Sequence, residues 1–250
     1  MTAQAMVTVE ELNKRYGNHQ VIDALSFTLL PGERMAIFAP SGAGKTTLIK
    51  ILAGIESADS GRFILADTAP VTLFQEPRLF PFLTVEENIF LPFKIAGRSV
   101  DSEVQRRYQT WLEVCELKAF MQHYPYQLSG GMRQKVALIR GLLGKPRFVM
   151  MDEPFQSING ASKQAIIAHI IETMPELSIL FVTHIAEEIP LLAQTVLYFP
   201  SPWLSRSERL PASALQRKLS AVKPLFITDE INHHITGAYQ ALNVNNKEIL

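Results

Sequence analysis

Residues Ala39 to Thr47 read Ala39-Pro-Ser-Gly-Ala-Gly-Lys45-Thr46-Thr47, directly after the short apolar run Met35-Ala-Ile-Phe38. Helical spacing then runs from Lys45 to Leu52 and stops at Gly54, a natural helix terminator. A strand that turns sharply into a helix leaves several backbone N–H groups unpaired at one point, and that point suits an anion. Gly42 and Gly44 let the backbone wrap phosphate oxygens with no Cβ in the way. Ser41, Ala43 and Thr47 complete the cradle. Lys45 supplies positive charge for β- and γ-phosphates, and the Thr46 hydroxyl is placed to hold Mg²⁺. This pattern usually opens with Gly. Here Ala39 takes that place, at small cost if its φ is negative.

The surrounding pattern alternates strands and helices. Val7 to Leu30 reads as antiparallel β structure around a Gly17-Asn18 turn, and Pro31-Gly32 is a second turn. Arg62 to Ala66, Val71 to Phe74, Phe148 to Met151, Ile179 to Val182 and Thr195 to Phe199 are further strand candidates. Residues 84 to 143 are helical in character. Thr84-Val-Glu-Glu87 forms a capping box, and Asp101 or Ser102 caps a long helix running towards Phe120. Another helix begins after Ser129, and Lys163 to Glu172 is helical between two strands. Alternation of this kind predicts an α/β fold: a phosphate-loop core with a mainly parallel sheet, an N-terminal antiparallel β subdomain and an inserted helical subdomain.

Phe148-Val-Met-Met-Asp152-Glu153 is an apolar strand ending in two carboxylates. Downstream of a phosphate loop, Asp152 is placed to hold Mg²⁺. Glu153 is placed to polarise an attacking water. Leu128-Ser-Gly-Gly-Met-Arg-Gln134 starts a second glycine-led helix, whose N–H groups and positive dipole end also suit a phosphate. Ser129, Gly130 and Gly131 stand at that helix start.

Leu128 to Gln134 resembles the signature sequence of the ATP-binding cassette (ABC) family, and the rest of that family's set surrounds it over about residues 7 to 200. Tyr16 resembles the aromatic residue that stacks on adenine. Gln75, in Leu73-Phe-Gln-Glu-Pro-Arg-Leu79, resembles the glutamine that touches Mg²⁺ or the attacking water. His184, in Phe181-Val-Thr-His, resembles the switch histidine. The segment from Phe74 to Asn88 is similar to the nitrate, sulfonate and taurine importer branch. The resemblance implies an ATP- and Mg²⁺-dependent ATPase subunit of an importer, acting as a homodimer. Its partners are then transmembrane permease subunits and, indirectly, an extracytoplasmic solute-binding protein. Leu79-Phe-Pro-Phe82-Leu lies where family members dock a helix of the membrane subunit. Alternatives are a soluble ABC ATPase without a transport role and a weakly hydrolysing regulatory module.

Three positions depart from the family pattern. Ala39 opens the loop, Asn159 stands where Asp is usual, and Ile185 follows His184 where Asp is common. An Asn cannot be an anionic acceptor, so weaker communication across the dimer and a low, weakly cooperative rate are expected. Glu153 and His184 are both retained, so hydrolysis should survive.

Composition narrows the remaining classes. Apolar residues make up 47% of the 250 residues and charged residues 19%, enough apolar material for a core. Lys plus Arg equals Asp plus Glu at 24 each, so nothing argues for a nucleic-acid partner. The single cysteine, Cys115, fits a reducing compartment and reads as core filler on a helix with Val104, Tyr108, Trp111 and Leu112. Met1 to Val9 carries no secretion signal, and no window matches a membrane span, so the expected place is cytoplasmic, peripheral on the inner membrane face through a partner chain. The expected division is an ATPase domain over residues 1–200, with a helical subdomain at about 77–143, and an extension of unknown role over 201–250. In that extension Ser201-Pro-Trp203 reads as a loop and Ser213 to Val222 as a helix. His233-His234 lacks a third ligand at metal spacing and reads as a polar surface pair.

Overall fold

The computed structural model describes residues 4–67, 70–200, 203–205 and 207–222. Ser201, Pro202 and the pair His233-His234 therefore lie outside the described residues. The chain divides into two compact units, Met1–Ala212 and Ser213–Leu250.

The first unit opens with β1 (Val7–Tyr16) and β2 (His19–Leu29), an antiparallel hairpin in which Tyr16 faces His19. Gly17 turns the chain with φ of 58°. After β3 (Arg34–Phe38) and α1 (Lys45–Leu52), β4 (Ser60–Leu65) returns to the other edge of β1. The result is a three-stranded antiparallel sheet in the order β2-β1-β4. Alternating burial along β1 and β2, shifted by one residue at Glu11 and Ala24 (φ 46° and 47°), places Val7, Val9, Leu12, Ile22, Leu25 and Leu29 in the core.

The helical stretch follows β5 (Val71–Leu73). In α2 (Val85–Ile95), Thr84 Oγ1 accepts from Glu87 N at 3.2 Å, and Glu87 Oε2 accepts from Thr84 N at 2.8 Å, the expected capping box. In α3 (Ser102–Val114), Asp101 is the cap, accepting from Val104 N at 2.8 Å. This helix stops earlier than expected. Glu116 takes φ of 57°, so Cys115 is the residue after the last turn, and Lys118–Phe120 is a separate 3₁₀ turn. Cys115 is nonetheless fully buried, and burial pushes its thiol up to about 12.

The remaining elements are α4 (Gly130–Leu142), β6 (Phe148–Asp152), α5 (Gly160–Thr173), β7 (Ser178–Thr183), α6 (Ile189–Leu192), β8 (Thr195–Tyr198) and β9 (Glu208–Pro211). The large sheet runs β5-β6-β7-β3-β8-β9, parallel throughout except where β9 pairs antiparallel with β8. It thus continues past residue 200. The strands β6, β7 and the interior of β3 are buried along their length, as continuous apolar runs in a two-sided parallel sheet must be. In the second unit, α7 (Leu215–Val222) falls within the expected helix. No helix among the described residues is long and apolar enough to cross a membrane.

Candidate active site

Strand order decides where the site lies. Because β7 sits between β6 and β3, with Phe38 opposite Thr183 and Asp152 opposite Val182, the carboxyl ends of all three strands reach one level. Open α/β sheets bind ligands at that edge. Beyond it opens a cleft of about 540 Å³, lined by Tyr16, His19, Val21, Ser41, Gly42, Gly44, Lys45, Thr46, Thr47, Gln75, Glu153, Gln156 and His184. Widely separated stretches of sequence thus meet in one cleft.

The glycine loop is shaped as expected. Gly42 and Gly44 take φ of 80° and 93°, and a Cβ on Gly44 would stand 2.8 Å from the Val21 carbonyl oxygen. Gly44 is the N-cap of α1 and offers no side chain to its first turn, so those N–H groups face the cleft without an intrahelical partner. Ala39 keeps negative φ, which is why Ala is accepted there. Ala43 differs from its neighbours. It is buried, is absent from the cleft wall, and donates its N–H to Pro40 O at 3.3 Å. Lys45 Nζ donates to Ala39 O and Pro40 O, each at 2.9 Å. Burial lowers its pKa, against the pull of the Glu153 and Asp152 carboxylates.

Asp152 is 1% exposed, and neither carboxylate oxygen has a hydrogen-bond partner. Burial raises its pKa. The Thr46 hydroxyl lies near enough to favour the ionised form, but not in the geometry of a normal hydrogen bond. An orphaned buried carboxylate beside a hydroxyl is the donor set of a hard cation that prefers oxygen. Among the described residues no group of three or more Asp, Glu, His or Cys side chains is arranged to hold a metal ion. A cation here would complete its shell from water or from ligand phosphates, the usual habit of Mg²⁺.

Glu153 follows Asp152 with φ of 46°, a left-handed kink that turns its side chain out of the strand line. Its Oε1 lies 2.8 Å from Nδ1 of His184, which stands just past the end of β7. Gln75, on the connection after β5, donates from Nε2 to Gln156 Oε1 at 2.7 Å. Tyr16 is not a core aromatic. It is 49% exposed, borders the cleft, and its hydroxyl donates to Glu56 and stands 3.4 Å from Thr47 Oγ1.

The second glycine-led segment is elsewhere on the surface of the chain. Ser129, Gly130 and Gly131 do not line the cleft. Ser129 caps α4, accepting from Met132 N at 3.2 Å. Gly131 packs against the turn after Glu153, where a Cβ would come within 2.4 Å of Ser157 O, whereas Gly130 faces open space. Asn159 caps α5 by accepting from Ser162 N at 2.9 Å, an acceptor role for which Asn serves as well as Asp. Three cleft residues, His19, Val21 and Gln156, carried no site signal in the sequence. They are ordinary residues, placed there only by the hairpin and by the turn after Glu153.

The ABC transporter family model matches residues 22–156, more than half of the chain. The chain belongs to the ABC transporter family. An aliphatic sulfonates import ATP-binding protein from Bacillus cereus is 34% identical over 207 residues, covering 78% of this chain and 80% of that protein. A spermidine/putrescine import ATP-binding protein from Nitrosomonas europaea is 33% identical over 204 residues, 77% of this chain and 56% of that protein. The chain thus spans little more than half the length of these polyamine-import relatives. Among solved structures, the dimeric bacterial ABC transporter cassette MJ0796 superposes with a TM-score of 0.71 at 25% identity, over 82% of this chain and 99% of that one.

Proposed function

We propose that this chain is the ATP-hydrolysing subunit of an importer for a small solute. The observation that carries this reading is the meeting of the glycine loop, the orphaned Asp152 and the Glu153–His184 pair at the carboxyl ends of three adjacent strands. The relatives named above are import ATP-binding proteins, which supports the assignment.

In this reading the N–H groups of residues 42 and 44–47 cradle the phosphates and the Lys45 ammonium leaves its backbone carbonyls to meet the β- and γ-oxygens. The Tyr16 ring stacks on the base, its hydroxyl held aside by Glu56. Thr46 and Asp152, with Gln75, would hold Mg²⁺, which when bound neutralises phosphate charge. Glu153 accepts a proton from water as the water oxygen bonds to the γ-phosphorus and the bond to the ADP oxygen breaks. His184, bonded to Glu153, holds that carboxylate in place. Ser129, Gly130 and Gly131 of a second copy close the site from outside, so ATP joins the two copies and hydrolysis parts them.

The same reading takes residues 77–143 as the helical subdomain that meets transmembrane permease subunits on the inner face of the membrane. Phe80 and Phe82 on its surface are 51% and 89% exposed, apolar area suited to a partner helix. A solute-binding protein would act through those subunits. Phosphate release by wild type and by Glu153→Gln tests the core of this reading. Release by wild type, lost in the variant with ATP binding retained, is expected. Equal inactivity of both, with ATP still bound, overturns hydrolysis and leaves a nucleotide-dependent regulatory module.

A further inference from the structure

We infer that Gln156 is a positioning residue that sets which end of the Gln75 carboxamide faces the cleft. The inference deepens the proposed hydrolytic reading and rests on it. Gln75 Nε2 donates to Gln156 Oε1 at 2.7 Å, and both side chains line the cleft with Glu153, His184 and Thr46. A carboxamide has one donor end and one acceptor end. With its nitrogen committed to Gln156, Gln75 leaves its oxygen for the cleft that Thr46, Glu153 and His184 also line. That oxygen is the end able to accept a hydrogen bond from water or to ligate a hard cation.

The acceptor is well placed for this task because its backbone is pinned. Phe155, next in the chain, is fully buried. Pro154 O accepts from Gln134 Nε2 of α4 at 3.1 Å, and Ser157 O sits against Gly131 at the start of the same helix. Gln75, by contrast, stands exposed on the connection from β5 to α2, 81 residues away in sequence. A fixed turn thus aims a side chain carried by an exposed connection. The bond also ties the connection leading to Phe80 and Phe82 to the segment that carries Glu153.

Two substitutions separate positioning from mere stability. Gln156→Met keeps the length of the side chain but removes the acceptor. Losing one hydrogen bond of ordinary strength predicts a fall in kcat of about 2- to 10-fold, with KM for ATP and the thermal midpoint unchanged. In the Gln75→Ala background the same change should alter kcat by less than about 1.5-fold, because its target is gone. An equal loss in both backgrounds, or no loss from Gln156→Met alone, overturns the inference. Should wild type and Glu153→Gln both release no phosphate, the proposed hydrolysis fails by itself. The Mg²⁺ concentration that half-saturates ATP binding then decides the role of Gln156: a rise in Gln156→Met that vanishes in Gln75→Ala supports it, and an unchanged value refutes it.

Discussion

Asp152 sets function against stability, and Asp152→Asn measures the conflict. Both its oxygens are buried without a partner. Its pKa is raised by burial even after the opposing influence of Thr46, Lys45 and Lys50 is counted. The ionised carboxylate is therefore a net burden on the nucleotide-free fold, attraction to Lys45 included. Removing its charge should stabilise the nucleotide-free protein near neutral pH by about 1 kcal/mol or more, because an unpartnered buried charge costs more than the neutral, equally unpartnered amide that replaces it. For a chain of this length each kcal/mol raises Tm by about 2–4 °C. The sign with pH follows from the direction of the shift. Between the ordinary value of 3.8 and the raised folded value, the folded state binds more protons than the unfolded one, so wild-type stability falls as pH rises through that window. The advantage of Asp152→Asn should shrink as pH falls towards 3.8, where the wild-type carboxyl is neutral too. Thermal melts of both proteins with a chelator present, across pH, read this directly. With Mg²⁺ and ATP the order should reverse, since wild type gains binding energy that the variant loses. A variant less stable than wild type without nucleotide at neutral pH, or an advantage independent of pH, would refute the reasoning.

Two more predictions concern packing around the site. Gly131→Ala forces a Cβ to 2.4 Å from Ser157 O, backbone that cannot swing aside, and should cost about 1–3 kcal/mol in chemical denaturation. Gly130→Ala meets open space and should leave stability equal or raised by up to about 1 kcal/mol. Glu188 is 2% exposed, pairs with Lys163 and accepts from the Thr183 hydroxyl at 3.0 Å, directly before His184. Glu188→Gln should therefore lower stability by about 1.5–3 kcal/mol, read by denaturant titration, and a neutral result would show that the buried pair contributes nothing net.

The glycine loop and the Asp152-Glu153 strand end were legible because their chemistry is local: a short run of adjacent residues contains the strand, the turn and the reactive groups. The capping box at Thr84 and the cap at Asp101 were legible for the same reason. Gln75, His184 and Tyr16 were placed by family resemblance, since a single polar or aromatic residue carries no periodic signal. The early stop of α3 was missed because Glu116 adopts a left-handed conformation with no glycine to announce it. Asn159 was read for its missing charge, whereas the fold uses its acceptor oxygen to cap α5.

Sequence alone was enough to determine a phosphate-binding α/β chain with two carboxylates and a second glycine-led helix, because each of those features is written within a few consecutive residues. Tertiary structure decided the rest. It set β7 between β6 and β3, left Asp152 without a partner, bonded Glu153 to His184, and gave Gln75 a partner in Gln156. Those facts depend on sheet order and on pairings between distant parts of the sequence, where the energy belongs to groups that meet only after the chain has folded.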